Sequence, residues 1–595
     1  MRKVLYAVLL FVIPFSDNLS QMMITEFAPN ALRMRLRSNG LMEPSPSAGA
    51  ITLAGISQPG MVYSGGLWLS ASNSIDDLRV ATHKYGQQGH DFFSGPLTND
   101  GSASISAEVS AGFDRIWTVT AGQIAQHRSY FECLSDPGCD LESEFPNGYE
   151  IPNVFLDWPA HGNVGFAQDL YIAPFQDHDG DGFYDPQSGD HPCVPGDQAV
   201  FMVFNDVLQS HAESGGDPLG VEVHKMPFGY YATSGIDLHY TLFVSYKIIN
   251  RTNQPIQNFR ISEFADFDLG CGNDDNIGTD VGRNMVYVYN GDDSDEPCFS
   301  LPAFGEQPPA FGLMVLKGPL LEPNGEDDPA LVTLPSINGS GFGDGIVDNE
   351  RHGLSRSMHF RREGNAAQTE PENAEDHLDF QRSVWKNGVP LTYGGNGYSE
   401  NGSAINSRFA FPGDSDPNGA GTSGNSQPPW YDYYSPSLQD PKALATMGPI
   451  TLDPGEIQEI LIAYIYARAD EGGALASVTA LQQRADNVRA FAQNIPGLMA
   501  AGSLCDEMPV GIATIRRPRA LAIHPNPAHD LATVVLDEKI TNGSLEVFDL
   551  AGRKIMELPV SGSVIMIPIE DLTPGSYHLR LVESGTIRSG RFIKE

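Results

Sequence analysis

The sequence predicts a mainly β protein with a multi-domain β-sandwich architecture and few helices. Turn-forming residues are abundant, with 62 Gly and 43 Pro, and they accompany 30 Phe and 21 Tyr, residues that are enriched in strands. At 595 residues the chain is too long for one core, and a domain per 100 to 200 residues predicts roughly three to five units. Near the C-terminus, short runs alternate apolar and polar residues with period two, which predicts a small β-sandwich.

Residues 1–20 are predicted to be a secretory signal peptide. Arg2 and Lys3 precede an apolar run over residues 4–15, and a polar stretch follows. The run is shorter than the roughly 20 residues that span a bilayer, and no later stretch is long or apolar enough to do so. We therefore expect a mature chain without a transmembrane segment, either secreted or attached to the outer surface.

Residues 21–163 are predicted to form an N-terminal β-rich region of strands and turns. Its tryptophans Trp68, Trp117 and Trp158 are most simply core residues. A sugar-binding platform is the alternative, because flat aromatic rings stack on the faces of sugars.

Residues 164–500 are predicted to form one or more acidic β-rich domains that close with a helix. The apolar runs 238–249 and 259–264 flank a turn sequence at 250–255, which predicts a β-hairpin. A further strand is predicted at 458–467, and helical spacing follows it. The buried face of that helix is predicted to be Leu475, Val478, Leu481, Val488 and Phe491.

The charge balance is strongly acidic. The chain has 75 Asp and Glu against 36 Lys and Arg, a formal charge of −39. Residues 520–595 hold ten acidic and seven basic residues, so nearly all of the excess lies upstream of them. Such repulsion argues against nucleic acid as a partner, and calcium would relieve it.

Six cysteines in an exported chain are expected to pair, although the sequence alone allows 15 connectivities. The favoured pairs are local: Cys133 with Cys139 across a turn sequence, and Cys271 with Cys298 across an acidic loop. Cys193 and Cys505 remain, paired or free. No CxxC pair has zinc spacing.

The sharpest chemical motif is an acidic loop that begins at Asp177. A DxDxDG sequence directs carboxylates from positions one, three and five and a backbone carbonyl from position seven towards one calcium ion. These residues are Asp177, Asp179, Asp181 and Phe183. Position twelve is a serine instead of the glutamate of an EF-hand, so Asp185 or Asp190 is expected to complete the shell. A merely acidic turn is the alternative.

Two weaker acidic clusters are also candidate calcium sites. One contains Asp344, Asp348 and Glu350. The other contains Asp266 and Asp268, which would leave a strand on the same face, and continues to Asp280.

A linker is predicted at 501–519, and the terminal module is predicted at 520–595. In that module the alternating runs 533–536, 544–550 and 576–581 predict strands, and Gly, Asn and Pro mark the turns between them. Pro525-Asn526-Pro527 opens the module. Asp549 and Gly552 lie in its middle, and Gly575 and Tyr577 lie near its end.

These motifs resemble the type A sorting domain of the type IX (Por) secretion system of Bacteroidetes-like bacteria. The resemblance implies an immunoglobulin-like β-sandwich that the outer-membrane translocon recognises. It also implies removal by a sortase-like peptidase that attaches the cargo to surface lipopolysaccharide. The sorting signal would then include Pro525, Asn526, Pro527, Asp549, Gly552, Gly575 and Tyr577.

The region upstream resembles secreted type IX cargo proteins. Its matching blocks include Asp179-Gly180-Asp181-Gly182, Gly189-Asp190-His191-Pro192 and Met447-Gly448-Pro449. This resemblance implies a destination and an architecture, without an activity.

The sequence contains no HExxH, GxSxG, P-loop or Rossmann glycine motif, so no catalytic residue is assigned. The predicted function is that of an exported, calcium-stabilised surface or secreted protein that acts by binding, for example to an extracellular glycan, or as a structural component. The alternative is an extracellular hydrolase acting on polysaccharide or protein, because a glycosidase needs only a pair of carboxyl groups.

Overall fold

The computed structural model describes residues 22–45, 49–55, 58–72, 77–86, 88–232, 235–298, 302–330, 339–432, 440–494, 521–548, 553–570, 572–583 and 586–594. The predicted signal peptide, the 501–519 linker, Cys505, Asp549 and Gly552 lie outside these ranges. The described chain is mainly β, as the sequence predicts.

The described residues upstream of position 500 form twenty-one strands. They are β1 (Ile24–Phe27), β2 (Leu32–Arg37), β3 (Ile51–Leu53), β4 (Gly60–Ser72), β5 (Leu78–Thr82), β6 (Phe93–Ser94), β7 (Trp117–Thr120), β8 (Phe175–Gln176), β9 (His191–Pro192), β10 (Gln198–Asn205), β11 (Val221–Gly229), β12 (Thr241–Asn250), β13 (Ile256–Phe267), β14 (Asp275–Asp280), β15 (Met285–Asn290), β16 (Ser294–Asp295), β17 (Gly305–Glu306), β18 (Ala310–Lys317), β19 (Arg356–Arg361), β20 (Pro441–Leu452) and β21 (Ile457–Ala467).

The terminal module adds five strands, and seven helices complete the described elements. The strands are β22 (Ala522–His524), β23 (Leu531–Phe548), β24 (Lys554–Pro568), β25 (Gly575–Glu583) and β26 (Thr586–Lys594). The helices are α1 (Ala107–Gly112), α2 (Ala121–Ser135), α3 (Leu141–Glu144), α4 (Asn153–Leu156), α5 (Ile236–His239), α6 (Ala374–Gln381) and α7 (Gly473–Gln493).

Two large antiparallel sheets form the body upstream of the terminal module. Sheet I has the order β1-β2-β3-β4-β13-β20-β19, with β5 paired to β4. Sheet II has the order β14-β15-β18-β21-β12-β11-β10-β6, with β7 paired to β10. The sheets face each other, since the hydroxyls of Tyr246 and Tyr464 in sheet II both donate to Glu263 in sheet I, at 3.0 and 2.5 Å.

Sheet II is covered on both faces, which makes the body three-layered. In β21, Ile460, Ile462 and Tyr464 face the core shared with sheet I. The intervening Leu461 and Ile465 face a second core, on which α7 packs. A strand buried on both faces needs apolar residues at every position, and this explains the continuous apolar run of β21.

The boundary predicted at residue 163 does not separate folded units. Strand β4 of the N-terminal region lies beside β13 over most of its length, with Leu69 opposite Ile261 and Leu67 opposite Glu263. Strands β6 and β7 likewise pair with β10 in sheet II. Residues on both sides of position 163 therefore share the same sheets and the same cores.

The predicted hairpin at 238–264 is wrong. Strand β12 belongs to sheet II and β13 to sheet I, so the turn between them carries the chain from one sheet to the other. The amide of Asn250 fixes this crossing by donating to the carbonyls of Gln254 and Leu452, at 2.8 and 2.9 Å. Alternation along each strand shows which residues are buried, but it does not show which strand lies alongside.

The predicted closing helix is confirmed as α7, except for one residue of its face. Val478, Leu481 and Val488 are buried, whereas Leu475 is 67% exposed. The buried stripe includes Ala474, and Leu475 is one residue, or about 100°, away from it around the helix.

The three tryptophans are core residues, and the sugar-platform alternative is wrong. Trp68, Trp117 and Trp158 are 0%, 6% and 5% exposed, so their ring faces are closed to a ligand. Each indole nitrogen donates to a backbone carbonyl, those of His83, Asp157 and Pro174 respectively.

Both predicted disulfides are confirmed. Cys133 is bonded to Cys139 and Cys271 to Cys298, with Cα atoms 5.3 and 5.5 Å apart. Cys193 is also disulfide-bonded.

The terminal module has a core of its own. In β25, Tyr577, Leu579 and Leu581 are buried while His578 and Arg580 between them are only partly so, which confirms the predicted alternation. None of the helices in the described ranges combines the length and hydropathy of a bilayer-spanning segment.

Replacing Leu481 by Ala in the mature chain is expected to lower the free energy of unfolding by about 2 to 5 kcal/mol, because it leaves a cavity under α7. Leu475→Ala on the same helix is the matched control and is expected to change it by less than about 0.5 kcal/mol. Urea unfolding followed by circular dichroism measures both. Equal losses in the two variants would contradict the packing described for α7.

Acidic loops and candidate cation sites

The DxDxDG motif lies on a loop whose base is closed by a short ribbon. Strands β8 and β9 pair antiparallel, with Gln176 opposite His191, and the loop 177–190 connects them. No helix flanks the loop, as the sequence predicts.

Two buried aspartates hold the backbone of this loop. Asp177, 7% exposed, accepts from the N–H groups of Gly180 and Gly182, both at 2.7 Å. Asp190, 0% exposed, accepts from His178 and Asp185, again at 2.7 Å. Gly180 and Gly182 have φ of 77° and 83°, conformations that glycine adopts without steric cost. The fold of the loop therefore depends on its carboxylates.

The side chains of Asp177, Asp179 and Asp181 converge. One carboxylate oxygen from each lies within 4.8 Å of the others. Two oxygens on one calcium ion lie at most about 5 Å apart, since each is 2.3–2.6 Å from the ion, so this all-oxygen set fits calcium. Asp179 and Asp181 are exposed, which leaves a path for an ion.

Among the described residues, no basic side chain forms an ion pair with this loop, although Arg580 of the terminal module lies beside it, 3.5 Å from the Tyr171 hydroxyl. No ion pair with Lys or Arg is formed by Asp177, Asp179, Asp181, Asp185 or Asp190 within the described ranges. Burial, and then the nearby Asp177 and Asp179, raise the pKa of Asp190 to about 7. Desolvation and the neighbouring carboxylates also raise the pKa of Asp179.

The other predicted ligands of this loop take different positions. Asp185 accepts from the N–H of Gln187 at 2.9 Å and the hydroxyl of Ser188 at 3.1 Å, within its own turn. The N–H of Phe183 donates to Asp181 at 2.7 Å.

The second predicted cluster repeats the hydrogen-bond pattern of the first. Asp327 accepts from Gly343 and Gly345, both at 2.8 Å, as Asp177 does from Gly180 and Gly182. Asp344 between these glycines accepts from the N–H two residues ahead, as Asp181 does.

The anchor of the second loop is also equivalent. Glu350 accepts from Asp328, the residue after Asp327, as Asp190 accepts from the residue after Asp177. Asp348 accepts from Asn324 and Gly325. Within the described residues, Asp344, Asp348 and Glu350 do not converge as closely as Asp177, Asp179 and Asp181.

The third cluster brings Asp266 and Asp268 together with Asp440, their oxygens again within 4.8 Å. Here a basic side chain is present, because Lys442 Nζ lies 3.2 Å from Asp266 and also contacts Asp440. Burial, with Asp440 adding to it, raises the pKa of Asp268 to about 7. Burial alone would lower the pKa of Lys442, but Asp266, Asp440 and Glu370 raise it overall.

Asp280 lies apart from Asp266 and Asp268. Its carboxylate is paired with Arg283 at 2.9 Å and accepts from Gln482 at 3.0 Å. The third cluster is thus an internal ion network centred on Lys442.

Sequence reasoning missed Asp327, Asp440 and Lys442. Asp327 lies 16 residues before Gly343, and Asp440 lies more than 170 residues after Asp266, so no local spacing connects them. The signal that was available for Asp327 is the repeated Gly-Asp-Gly sequence at 180–182 and 343–345.

The predicted sorting residues secure the ends of the terminal module. Asn526, between the two prolines, accepts from Ile593 at 2.8 Å and donates to Arg591 at 3.1 Å, which ties the opening turn to β26. Gly575 begins β25, and the Tyr577 hydroxyl donates to the carbonyl of Thr573 at 2.7 Å. Asp549 and Gly552 are outside the described residues.

Residues 522–595 match the family described as secretion system C-terminal sorting domain. The chain is therefore a type IX secretion cargo protein, secreted or held at the outer surface. The region upstream has no named family.

Two solved structures are similar to parts of the chain. A DUF3244 family protein with an immunoglobulin-like β-sandwich fold, from Bacteroides vulgatus ATCC 8482, is 21% identical over 11% of this chain and 76% of its own, with a TM-score of 0.11. Polysaccharide lyase BACCELL_00875 is 8% identical over 63% of this chain and 34% of its own, with a TM-score of 0.16. No curated protein matches.

Replacing Lys442 by Met is expected to lower the free energy of unfolding by about 3 to 5 kcal/mol in calcium-free buffer, because buried carboxylates lose their counter-charge. Lys554→Met removes the ion pairs of a 45% exposed lysine with Glu546 and Glu557 and is expected to cost less than about 1 kcal/mol. Chemical denaturation of both variants tests this. A loss at Lys442 no larger than that at Lys554 would show that the network does not depend on its lysine.

Proposed function

We propose that the region upstream of the sorting domain is a calcium-stabilised extracellular protein that acts by binding or as a structural component. The observation that carries the calcium assignment is the convergence of Asp177, Asp179 and Asp181 without a basic partner among the described residues. Calcium would neutralise these carboxylates and hold the exposed part of the loop against its buried anchors.

The contrast with the third cluster supports this assignment. Asp266 and Asp440 are equally close to each other, yet they contact Lys442, and a divalent ion would have to displace that ammonium group. We therefore assign calcium to the first loop, and to the second loop around Asp344, Asp348 and Glu350 on the strength of its matching hydrogen bonds. Asp327 joins the second donor set.

A protein outside the cell needs only weak calcium sites, because they are occupied at the calcium concentration found there. Extracellular modules bind calcium with dissociation constants of about 10⁻⁴ to 10⁻³ M, so they are filled outside the cell. The first loop suits this range, because two of its three converging carboxylates are exposed and mobile side chains must be ordered on binding.

The hydrolase alternative requires a pair of carboxyl groups that a substrate can reach. Asp266 and Asp268 converge in the third cluster, but Asp266 is 4% exposed and paired with Lys442. The ion pair between Asp266 and Lys442 gives this cluster a structural role. The geometry of the cluster therefore favours a binding or structural function over hydrolysis.

The sorting domain implies an interaction with the type IX machinery. We infer that the translocon recognises the module in its folded form and that a sortase-like peptidase then acts on it. We propose two further partners at the cell surface. They are lipopolysaccharide, as the attachment point, and an extracellular glycan, as the ligand.

Calcium at about 10 mM is expected to stabilise the mature chain by about 1 to 3 kcal/mol over a chelated sample, which is the gain from filling a site of this affinity about ten- to hundredfold above its dissociation constant. Asp179→Asn and Asp181→Asn should remove most of that gain, since each deletes a charged ligand and keeps the side-chain volume. Thermal unfolding with calcium or with a chelator measures it.

The matched control is Glu142→Gln, an exposed carboxylate on α3 that does not belong to the loop, which should retain the full calcium response. Magnesium at the same concentration should give a smaller gain, because it loses its water ligands reluctantly. If chelation leaves the unfolding temperature unchanged, the calcium assignment is wrong.

Removing residues 521–595 is expected to abolish delivery of the cargo to the medium or cell surface in a host with type IX secretion, while the cargo itself still folds on its own cores. Immunoblots of cell, surface and medium fractions measure delivery. The reciprocal fusion of residues 521–595 to a reporter with a signal peptide should be exported. Export of the truncated cargo would show that the address lies elsewhere.

A further inference from the structure

A cavity of about 440 Å³ on sheet I is lined by four arginines. They are Arg260, Arg356, Arg382 and Arg408, and the other lining residues include Ser383, Asn406, Ser407 and Ser423. None of the lining residues is acidic, although the chain has 75 acidic against 36 basic residues. The wall of this cavity therefore has the opposite charge to the protein as a whole.

The sheet brings two of the arginines to one face. Arg356 in β19 and Ser262 in β13 lie opposite the same residue of β20, Thr446. Arg260 is two residues from Ser262 and so shares its face, which is the face turned away from sheet II. The other face of β13 carries Glu263, which contacts the tyrosines of sheet II.

Backbone hydrogen bonds fix the other two arginines. Arg382 directly follows α6 and caps it, and its N–H donates to the carbonyl of Leu378 at 3.1 Å. The N–H of Arg408 donates to Gly421 at 2.9 Å, and its carbonyl accepts from Ser357 and from the Ser383 hydroxyl, both at 3.0 Å. The cavity is thus preformed by the fold.

Among the described residues, only one of the four guanidinium groups, that of Arg382, has an acidic partner. Within the described residues, Arg260, Arg356 and Arg408 form no ion pair, and the Nε of Arg260 is buried without a hydrogen-bond acceptor. Arg382 reaches Asp379 only at 3.5 Å. Burial, and then Arg382 and Arg356, lower the pKa of Arg260 to about 10. Burial, and then Arg408 and Arg382, lower the pKa of Arg356.

The cavity is open on one side. Ser383 and Ser407 are 2% and 5% exposed and lie at its base, whereas Arg382 and Asn406 are exposed and lie at its mouth. Its volume is within the range of small-molecule sites, roughly 300 to 1,000 Å³. Charges more than about 8 Å away are largely screened at physiological salt. The overall charge of −39 therefore does not cancel the positive potential that the four arginines create in the cavity.

We propose that this arginine cavity binds a sulfate or phosphate oxyanion, either free or as an ester on a small sugar. Guanidinium groups bind the oxygens of such anions in pairs of parallel hydrogen bonds. Four of them around one cavity favour a sulfate or phosphate group over a carboxylate, because such a group offers at least three terminal oxygens to the guanidinium donors instead of two. The second negative charge of free sulfate, or of phosphate, further relieves repulsion among the arginines. The serine hydroxyls and the Asn406 amide supply donors and acceptors for the hydroxyls of a sugar.

Isothermal titration of the full mature chain tests the proposal, at fixed calcium and with chloride holding the ionic strength constant. The probes are inorganic sulfate, inorganic phosphate, glucose 6-sulfate, glucose 6-phosphate and acetate. Sulfate or phosphate, free or esterified, is expected to bind at least about tenfold more tightly than acetate. Tighter binding of an ester than of the free anion identifies a sugar ester as the ligand, and the reverse identifies the free anion.

Arg356→Gln and Arg408→Gln are expected to weaken binding at least about tenfold, since each removes a charged donor from the cavity. Their unfolding temperature in chloride alone should be equal to or above that of the unchanged protein, because repulsion is relieved. Arg382→Gln, at the exposed mouth, tests the site without disturbing the interior. Arg128→Gln removes an exposed arginine of α2 paired with Glu132 and is the matched control, with unchanged affinity expected.

Absence of binding of all four sulfate and phosphate probes at about 10 mM, a concentration that fills even a weak millimolar site, would overturn the proposal. So would equal binding of acetate, or unchanged affinity in Arg382→Gln together with Arg356→Gln or Arg408→Gln. The calcium assignment is unaffected by any of these results, because the acidic loop and the cavity share no residue.

Discussion

The burial of sheet II on both faces is the constraint on which the rest of the structure depends. Its central strands turn alternate side chains towards sheet I and towards α7, so neither face is available to solvent. Sheet I covers one apolar face of sheet II and α7 covers part of the other, so the position of each is set by the face that it buries. Strands from the N-terminal region complete both sheets, which makes the whole region upstream of residue 500 one interdependent fold rather than a series of modules.

Within that fold the excess of acidic residues is compensated in different ways. Asp177 and Asp327 are satisfied by glycine N–H groups, and Glu222 is bonded to Arg251 at 2.7 Å. Asp266 is paired with Lys442. Among the described residues, two kinds of site depart from local neutrality: the acidic loops around Asp177 and Asp344 have carboxylates without a basic partner, and the cavity on sheet I has three arginines that form no ion pair. Unbalanced charge held in a rigid setting is costly to keep, and this is the physical reason to place ligands at both kinds of site.

The sorting domain has a separate core, which is built only from its own residues, although Phe548 lies against Phe183 of the acidic loop. A small sandwich that folds by itself can be recognised by export machinery whatever cargo precedes it. The destination of the protein and the chemistry of its cargo are for that reason separate problems, and the family match answers only the first.

The sequence by itself determined the β class, the helix α7, the two local disulfides, the acidic loop and the sorting domain. Each of these is encoded by residues close together in the chain, through period-two or 3.6-residue alternation, turn chemistry or a short motif. Only the tertiary structure decided that β12 and β13 lie in different sheets, that Leu475 faces solvent, and that Asp327, Lys442 and the four arginines join residues far away in sequence. Pairing of distant strands depends on how whole faces are covered, and local periodicity carries no information about which partner covers them.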